Sequence, residues 1–204
     1  MSNSLIEKRT GIGSGLAFVV TGPSGAGKNS VIDLVMAQIP GLIYSVSYTS
    51  RPRRPTEIDG EDYIFVSEDD FVGRVEAGDF LEHVVYLDDH YGTCRSQIKE
   101  VIARGFDVIL NIEVEGAKTL QQEDIGETKV VYIFLAPSSM EELERRLRKR
   151  DTEDETKIQR RLQVAKQEIK ALPCFDYLVI NDKLKTAVRE LTSIIVAERI
   201  RLCA

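Results

Sequence analysis

Residues 19–32 read VVTGPSGAGKNSVI, and the fold is decided by how this stretch is understood. Gly22, Pro23, Ser24, Gly25, Ala26, Gly27 and Lys28 fit the phosphate-binding loop pattern, in which glycines let successive backbone N–H groups converge on an anion with no Cβ in the way. The flanks agree. Leu16 to Val20 is an apolar run of the buried-strand type, and Val31, Leu34, Val35 and Ile39 fall on one helical face until Pro40-Gly41 ends it. A strand, a glycine-rich turn and a helix N-terminus together aim N–H groups and the positive helix end at a phosphate, with Lys28 reaching its outer oxygens. After the lysine the pattern asks for Ser or Thr, whose hydroxyl ligates Mg²⁺, and this chain has Asn29 followed by Ser30. An amide oxygen is also a hard donor, so Asn29 and Ser30 are the candidate metal ligands.

The composition bounds what surrounds the loop. A chain of 204 residues, 43% hydrophobic and 29% charged, has room for one sizeable core and an inserted lobe. The formal net charge of −6 argues against a general nucleic-acid binder. A polyanion must instead be held by local arginine clusters, and these occur at Arg51, Arg53 and Arg54 and from Arg145 to Arg150. Cys94, Cys174 and Cys203 are scattered without CxxC spacing, so a disulfide framework or zinc site is not indicated and a cytoplasmic setting is expected. The opening MSNSLIEKRT has no apolar signal core, and the run Val130 to Ala136 falls far short of the ~20 residues of a membrane helix, so no membrane partner is expected.

In chain order, residues 1–15 are expected to be a flexible leader; Gly11-Ile12-Gly13-Ser14-Gly15 precedes the first strand rather than following one. Residues 16–43 and 105–204 are expected to form an α/β core of the P-loop NTPase type, a parallel sheet with helices on both faces. Its later strands are Val108 to Ile112, Val130 to Leu135 and Tyr177 to Ile180, with a short helix around Ala117 to Gln121 and a last helix from Lys185 to Arg201. Residues 44–104 carry short β-rich runs (Tyr44 to Thr49, Tyr63 to Val66, Phe80 to Tyr86) between polar turns, the pattern of a small inserted mixed-sheet lobe. Arg95 to Arg104 reads as a helix returning to the core. Two helices, one to Arg150 and one from about Ile158 to Pro173, occupy about 138–172.

Three further groups of segments narrow the reading: SVSYTSRPRRPTEIDGEDYIFVS (45–67) with FLEHVVYLDDHYGTCR (80–95), DVILNIEVEGAK (107–118), and RRLRKRD, KIQRRL and DYLVIND toward the end. Together they resemble the guanylate kinases over nearly everything from Leu16 onward. The resemblance implies transfer of the ATP γ-phosphate to GMP in purine nucleotide metabolism, with Mg²⁺ as cofactor, ATP and GMP as partners, and a monomer or homodimer.

It also implies roles, residue by residue. The lobe 44–104 would bind GMP. Glu82 would accept from guanine N1–H and N2–H, with Ser47 and Thr93 near O6, a donor and acceptor match that adenine cannot make. Arg51 and Arg54, with the hydroxyls of Tyr63 and Tyr91, would clamp the GMP phosphate. On composition alone RPRRP is a solvated basic turn, and Arg53 fits that description. Asn111, Glu113 and Gly116 stand where the family has an acidic strand end and a close-approach glycine; Asn111 replaces an acid, and Glu113 is a candidate for guanine or metal-water contact. The helices at 138–172 would be a mobile lid, Arg150 and Arg161 reaching the phosphates on closure, and Arg146 or Arg148, with Asn181, contacting adenine. Asp151 stands where the family usually has glycine. His83 and His90 are given no chemistry. The alternative is a catalytically weakened guanylate-kinase-like binding module, for which Asn29 and Asn111 are the best support.

Overall fold

The structure, a computed structural model, describes residues 15–123, 125–126, 128–149 and 155–202. Strand β1 (Ala17–Thr21) is buried along its whole length. It pairs in parallel with β7 (Asp107–Asn111) on one side and β8 (Val130–Ala136) on the other. With β2 (Leu42–Ser45) and β9 (Tyr177–Ile180) these make a five-stranded parallel sheet in the order β2-β7-β1-β8-β9.

Parallel strands need crossovers, and crossovers cover both faces of the sheet. Alternate residues of β1 show this directly. Phe18 and Val20 pack with Val31 and Val35 of helix α1 (Lys28–Met36) and with Leu191 and Ile195 of α7 (Leu184–Arg199). Ala17 and Val19 pack on the other face with Ile98 and Ile102 of α3 (Arg95–Ala103) and Ala117 and Leu120 of α4 (Val114–Leu120). The Asp107 carboxylate ties the chain together, accepting from Leu16 N at 2.8 Å and from Arg199 Nε at 2.6 Å.

A second sheet of four strands, in the order β4-β3-β6-β5, is built from β3 (Tyr48–Thr49), β4 (Ile64–Phe65), β5 (Phe80–Tyr86) and β6 (Asp89–Cys94). It is mixed: β3 and β4 run parallel, and the other pairs antiparallel. The expected single run Tyr44 to Thr49 is divided between the sheets. Tyr44 and Ser45 pair with Ile109 and Leu110 in the large sheet, and only Tyr48 and Thr49 belong to the small one.

Two elements go beyond the sequence reading. Helix α2 (Glu68–Glu76) starts at Ser67, whose hydroxyl accepts from Asp70 N, and it buries Phe71 against Phe80 with ring centroids 4.7 Å apart. Strand β6 completes a hairpin with β5 through Leu87 and Asp88, both at positive φ (51° and 75°), a two-residue turn without glycine. Helices α5 (Met140–Lys149) and α6 (Glu155–Glu168) form an arm around Leu143, Leu147, Ile158, Leu162 and Ala165. The expected second helix to Pro173 ends instead at Glu168, and a tighter 3₁₀ stretch, Ile169–Cys174, contains the proline. Of the leader only Gly15 lies within the described residues, and Arg150 and Asp151 lie outside them.

The entry from β1 into the loop requires glycine. Gly22 has φ 134°, and a Cβ there would sit 2.1 Å from the Leu135 carbonyl oxygen of β8. Gly60 also has positive φ, but a Cβ would meet nothing within 4 Å. Urea unfolding should therefore separate the two: Gly22→Ala is expected to cost roughly 3 kcal/mol or more, Gly60→Ala about 1 kcal/mol.

Candidate active site between the two sheets

The loop that leaves β1 is shaped by Gly22, Gly25 and Gly27, all at positive φ. Gly27 caps α1 without a side-chain hydrogen bond, so the first-turn amides of that helix are left to an incoming anion. Lys28 is buried, and its ammonium lies across the loop, donating to the carbonyls of Gly22 at 2.6 Å and Pro23 at 3.5 Å. From outside, Asn181 Nδ2 donates to Ala26 O at 2.8 Å. Arg146 reaches the same carbonyl at 3.3 Å and Asn181 O at 2.6 Å, held in place by Glu142. These two residues, with Gly25, Gly27, Ser30 and Leu184, line an open cavity of about 460 Å³. Arg148 does not share this position. Its guanidinium turns to Glu144 at 2.7 Å and to Glu155, so of the two arginines proposed for the outer side of the loop only Arg146 reaches it.

On the inner side a cleft of about 450 Å³ lies between the sheets and the arm. Ser24, Lys28, Asn29 and Ser30 face it from the loop, Asn111 and Glu113 from the end of β7, and Arg51, Arg54, Tyr63 and Tyr91 from the small sheet and its loops. This is the crevice beyond the carboxyl ends of β1 and β7, where open α/β sheets place ligands. Arg51 is the better fixed of the two arginines. It donates to Tyr91 OH at 3.2 Å, to Glu57 Oε1 at 2.7 Å and to Pro52 O at 2.7 Å, and its guanidinium lies 5.5 Å from the Tyr63 ring centre. Arg54 is half in solvent, its backbone N–H donating to Glu57 Oε2 at 2.8 Å. Burial pushes Glu57 upward, but its bonds to Arg51 and Arg54 outweigh this and hold its carboxyl below the usual range. Glu57 is absent from the sequence reading, although an acid three residues after Arg54 signals such a brace.

Glu82 and Thr93 are brought together, and they and Ser47 lie buried behind the cleft lining. Glu82 is 3% exposed, accepts from Thr93 Oγ1 at 2.5 Å, and rests over α4, where a Cβ on Gly116 would come within 2.3 Å of its Oε2. Burial pushes its carboxyl up to about 7; the Thr93 hydrogen bond opposes the shift and the nearby Glu113 adds to it. Glu168, at the end of α6, is similar. Burial and the Glu113 charge push it up to about 7, with Lys28 opposing, and its Oε2 is buried without a hydrogen bond. The sequence held a signal for it: Glu168 continues the apolar stripe Ile158, Leu162, Ala165, where a carboxylate is out of place.

Hard oxygen donors gather at the loop side of the cleft. Glu113 Oε2 is buried without a hydrogen bond, and Asn29 accepts from Asn111 Nδ2 at 2.7 Å. Oxygen donors of this kind suit Mg²⁺, although among the described residues no three acidic, histidine or cysteine side chains form a cage. The arm closes the opposite side. Arg160 forks onto Asp88 at the hairpin tip, at 2.6 and 3.0 Å, and Arg161 donates to Ser24 Oγ of the loop. Such an arrangement can hold two anionic groups head to head, one on main-chain amides and Lys28 and the other on Arg51 and Arg54.

The family profile described as guanylate kinase matches residues 15–198. Curated relatives named guanylate kinase include one from Thermotoga maritima, 42% identical over 188 residues and covering 92% of this chain and 89% of the relative. Another, from Symbiobacterium thermophilum, is 42% identical over 187 residues, covering 92% of this chain and 87% of the relative. Among solved structures, the guanylate kinase from Anaplasma phagocytophilum superposes with a TM-score of 0.75 at 28% identity, covering 93% of this chain and 88% of that one. No helix among the described residues is long and apolar enough to cross a membrane.

Glu82 gives this site a pH signature. Its folded value of about 7 lies above its ordinary 4.5, so the folded state binds the proton more tightly. Stability is expected to fall as pH rises from about 4.5 to about 7 and then to level off. Glu168 contributes in the same direction. Comparing urea midpoints at pH 5 and pH 7.5, Glu82→Gln should show a smaller drop than the native chain.

Proposed function

We infer, for a chain that belongs to the guanylate kinase family, that the inner cleft is where donor and acceptor nucleotides meet. The reaction is transfer of a phosphoryl group from ATP to GMP, giving ADP and GDP. One observation carries the assignment of the site: Lys28 on the phosphate loop of one sheet and Arg51 and Arg54 from the other sheet face a single cleft.

Phosphoryl transfer leaves a protein little covalent work, so rate comes from alignment and charge neutralisation. The backbone N–H groups of residues 24–28 and the Lys28 ammonium hold the donor phosphates, and Arg146 and Asn181 form the outer shelf for adenine. Arg51 and Arg54, with Tyr63 and Tyr91, fix the acceptor phosphate, and Arg161 and Arg150 add positive charge as the arm closes. Ser30 and Asn29, with Glu113 nearby, supply oxygens for the Mg²⁺ that accompanies ATP and offsets phosphate charge. Glu82, Thr93 and Ser47 read the guanine edge. Because Glu82 is buried against α4, the base reaches it only when the small sheet parts from that helix. Guanine N1–H and N2–H would then favour the carboxylate anion that burial disfavours. Cytoplasmic residence, as monomer or homodimer and without nucleic-acid partners, goes with such a reaction. Lys28 across the phosphate loop and Arg161 at Ser24 support the kinase over the binding-module alternative.

A coupled assay of ADP release with GMP, AMP, UMP and CMP, with and without Mg²⁺, tests the reading. Metal-dependent turnover with GMP alone is expected, and equal turnover with AMP would overturn the guanine assignment. Lys28→Met should lower kcat by about 10²-fold or more with an unchanged melting temperature. Calorimetry near pH 6 in buffers of different ionisation enthalpy should show proton release when guanosine binds, because Glu82 ionises. Guanosine has no phosphate to confuse the count, and Glu82→Gln should abolish the release.

A further inference from the structure

We propose that the Tyr86 hydroxyl is a further catalytic group, a hydrogen-bond donor to the phosphoryl group as it passes between the two nucleotides. The proposal rests on the kinase reading of the cleft and on the layout of the β5–β6 hairpin. Glu82, Val84 and Tyr86 alternate onto one face of β5, opposite Thr93, Tyr91 and Asp89 of β6. Each step along that face is roughly 7 Å. The first pair, Glu82 with Thr93, is the proposed base reader, and the second carries Tyr91, whose hydroxyl accepts from Arg51 of the acceptor clamp. One step further stands Tyr86, where the hairpin meets the phosphate loop at Ser24, and both side chains line the inner cleft. Base, acceptor phosphate and donor loop are thus ranked along one strand face, and a group in transit from donor to acceptor falls at the level of Tyr86.

The hydroxyl suits that place. Its oxygen is shut off from water and has no hydrogen bond within the protein. Ser24 comes near enough to ease its titration yet makes no bond of normal geometry with it, and the Ser24 oxygen already accepts from Arg161 of the arm. A buried phenol in this condition lacks a partner that a ligand can supply. Burial, and after it the charges of Glu113 and Glu168, push the phenol far above its ordinary value, so it serves as a donor rather than as a base. A phosphoryl group in flight spreads its charge over three equatorial oxygens, which accept hydrogen bonds and donate none. In the reaction an oxygen of the acceptor phosphate attacks the γ-phosphorus of ATP, the bond from that phosphorus to the bridging oxygen breaks, and its electron pair leaves with ADP. Tyr86 keeps its proton throughout. Lys28 and the arginines bring positive charge to the same oxygens, and Tyr86 adds a neutral donor from the sheet that holds the acceptor.

The test is Tyr86→Phe in the full chain. The change removes one oxygen that has no partner and keeps the ring, so the melting temperature should equal or exceed the native one. The rate of a single turnover with GMP and Mg²⁺-ATP, measured by rapid quench, should fall about tenfold or more. Calorimetry with GMP alone and with ADP alone should give affinities within about twofold of native. The complex of ADP, GMP and aluminium fluoride, which mimics the group in flight, should instead weaken by about the same factor as the rate. A single-turnover rate within about threefold of native would overturn the proposal, because packing of the ring would then account for the residue. A fall in rate matched by an equal loss of GMP affinity would overturn it as well, since the hydroxyl would then be a ground-state contact. Both results leave the kinase reading untouched, whereas failure of the native chain to release ADP with GMP would overturn that reading itself.

Discussion

At the end of β1 the backbone passes so close to the Leu135 carbonyl that no side chain fits between them, and the phosphate cradle exists because glycine stands there. The contact fixes where the loop begins relative to β8, and hence where Lys28 and the first turn of α1 lie. The same loop is supported from outside by Asn181, which follows β9, and by Arg146 of α5, both bonded to the Ala26 carbonyl. A cradle defined by main-chain atoms needs such external props, because the glycines that open it supply no side chains to stiffen it.

The cleft is electrostatically divided. Its small-sheet side is cationic and internally satisfied, with Arg51 braced by Glu57, Tyr91 and Pro52. Behind its lining, toward α4 and α6, lie carboxylates that burial has made uncomfortable: Glu82 and Glu168 are both raised to about 7, and each is pushed further by Glu113. Groups left at such cost are commonly those that a ligand relieves. The guanine donors proposed for Glu82 would fit that pattern.

Much of this could be read in the sequence because the decisive signals were local. The glycine loop, the apolar runs of β1, β7, β8 and β9, and the paired arginines each declare themselves within a few residues. What escaped depended on distant partners or on atypical chemistry. The β5-β6 turn uses Leu87 and Asp88 where glycine or asparagine would have marked it, and the polar run of β6 carries little strand signal. Helix α2 buries a single large side chain, Phe71, so its period was faint despite the Ser67 cap. Arg148 and Arg146, two residues apart, face different surroundings on α5, and only the partners Glu155 and Asn181 tell them apart. The split of Tyr44 to Thr49 between two sheets follows from pairing with β7, which no local pattern reveals.

Asp88 and Arg160 meet across the mouth of the cleft, both well exposed to water. A fastening of that sort is feeble and is weakened further by dissolved ions. The hairpin is therefore tied to the arm by something that lets go easily, whereas an apolar or buried clasp at the same spot would hold the two together whatever the salt.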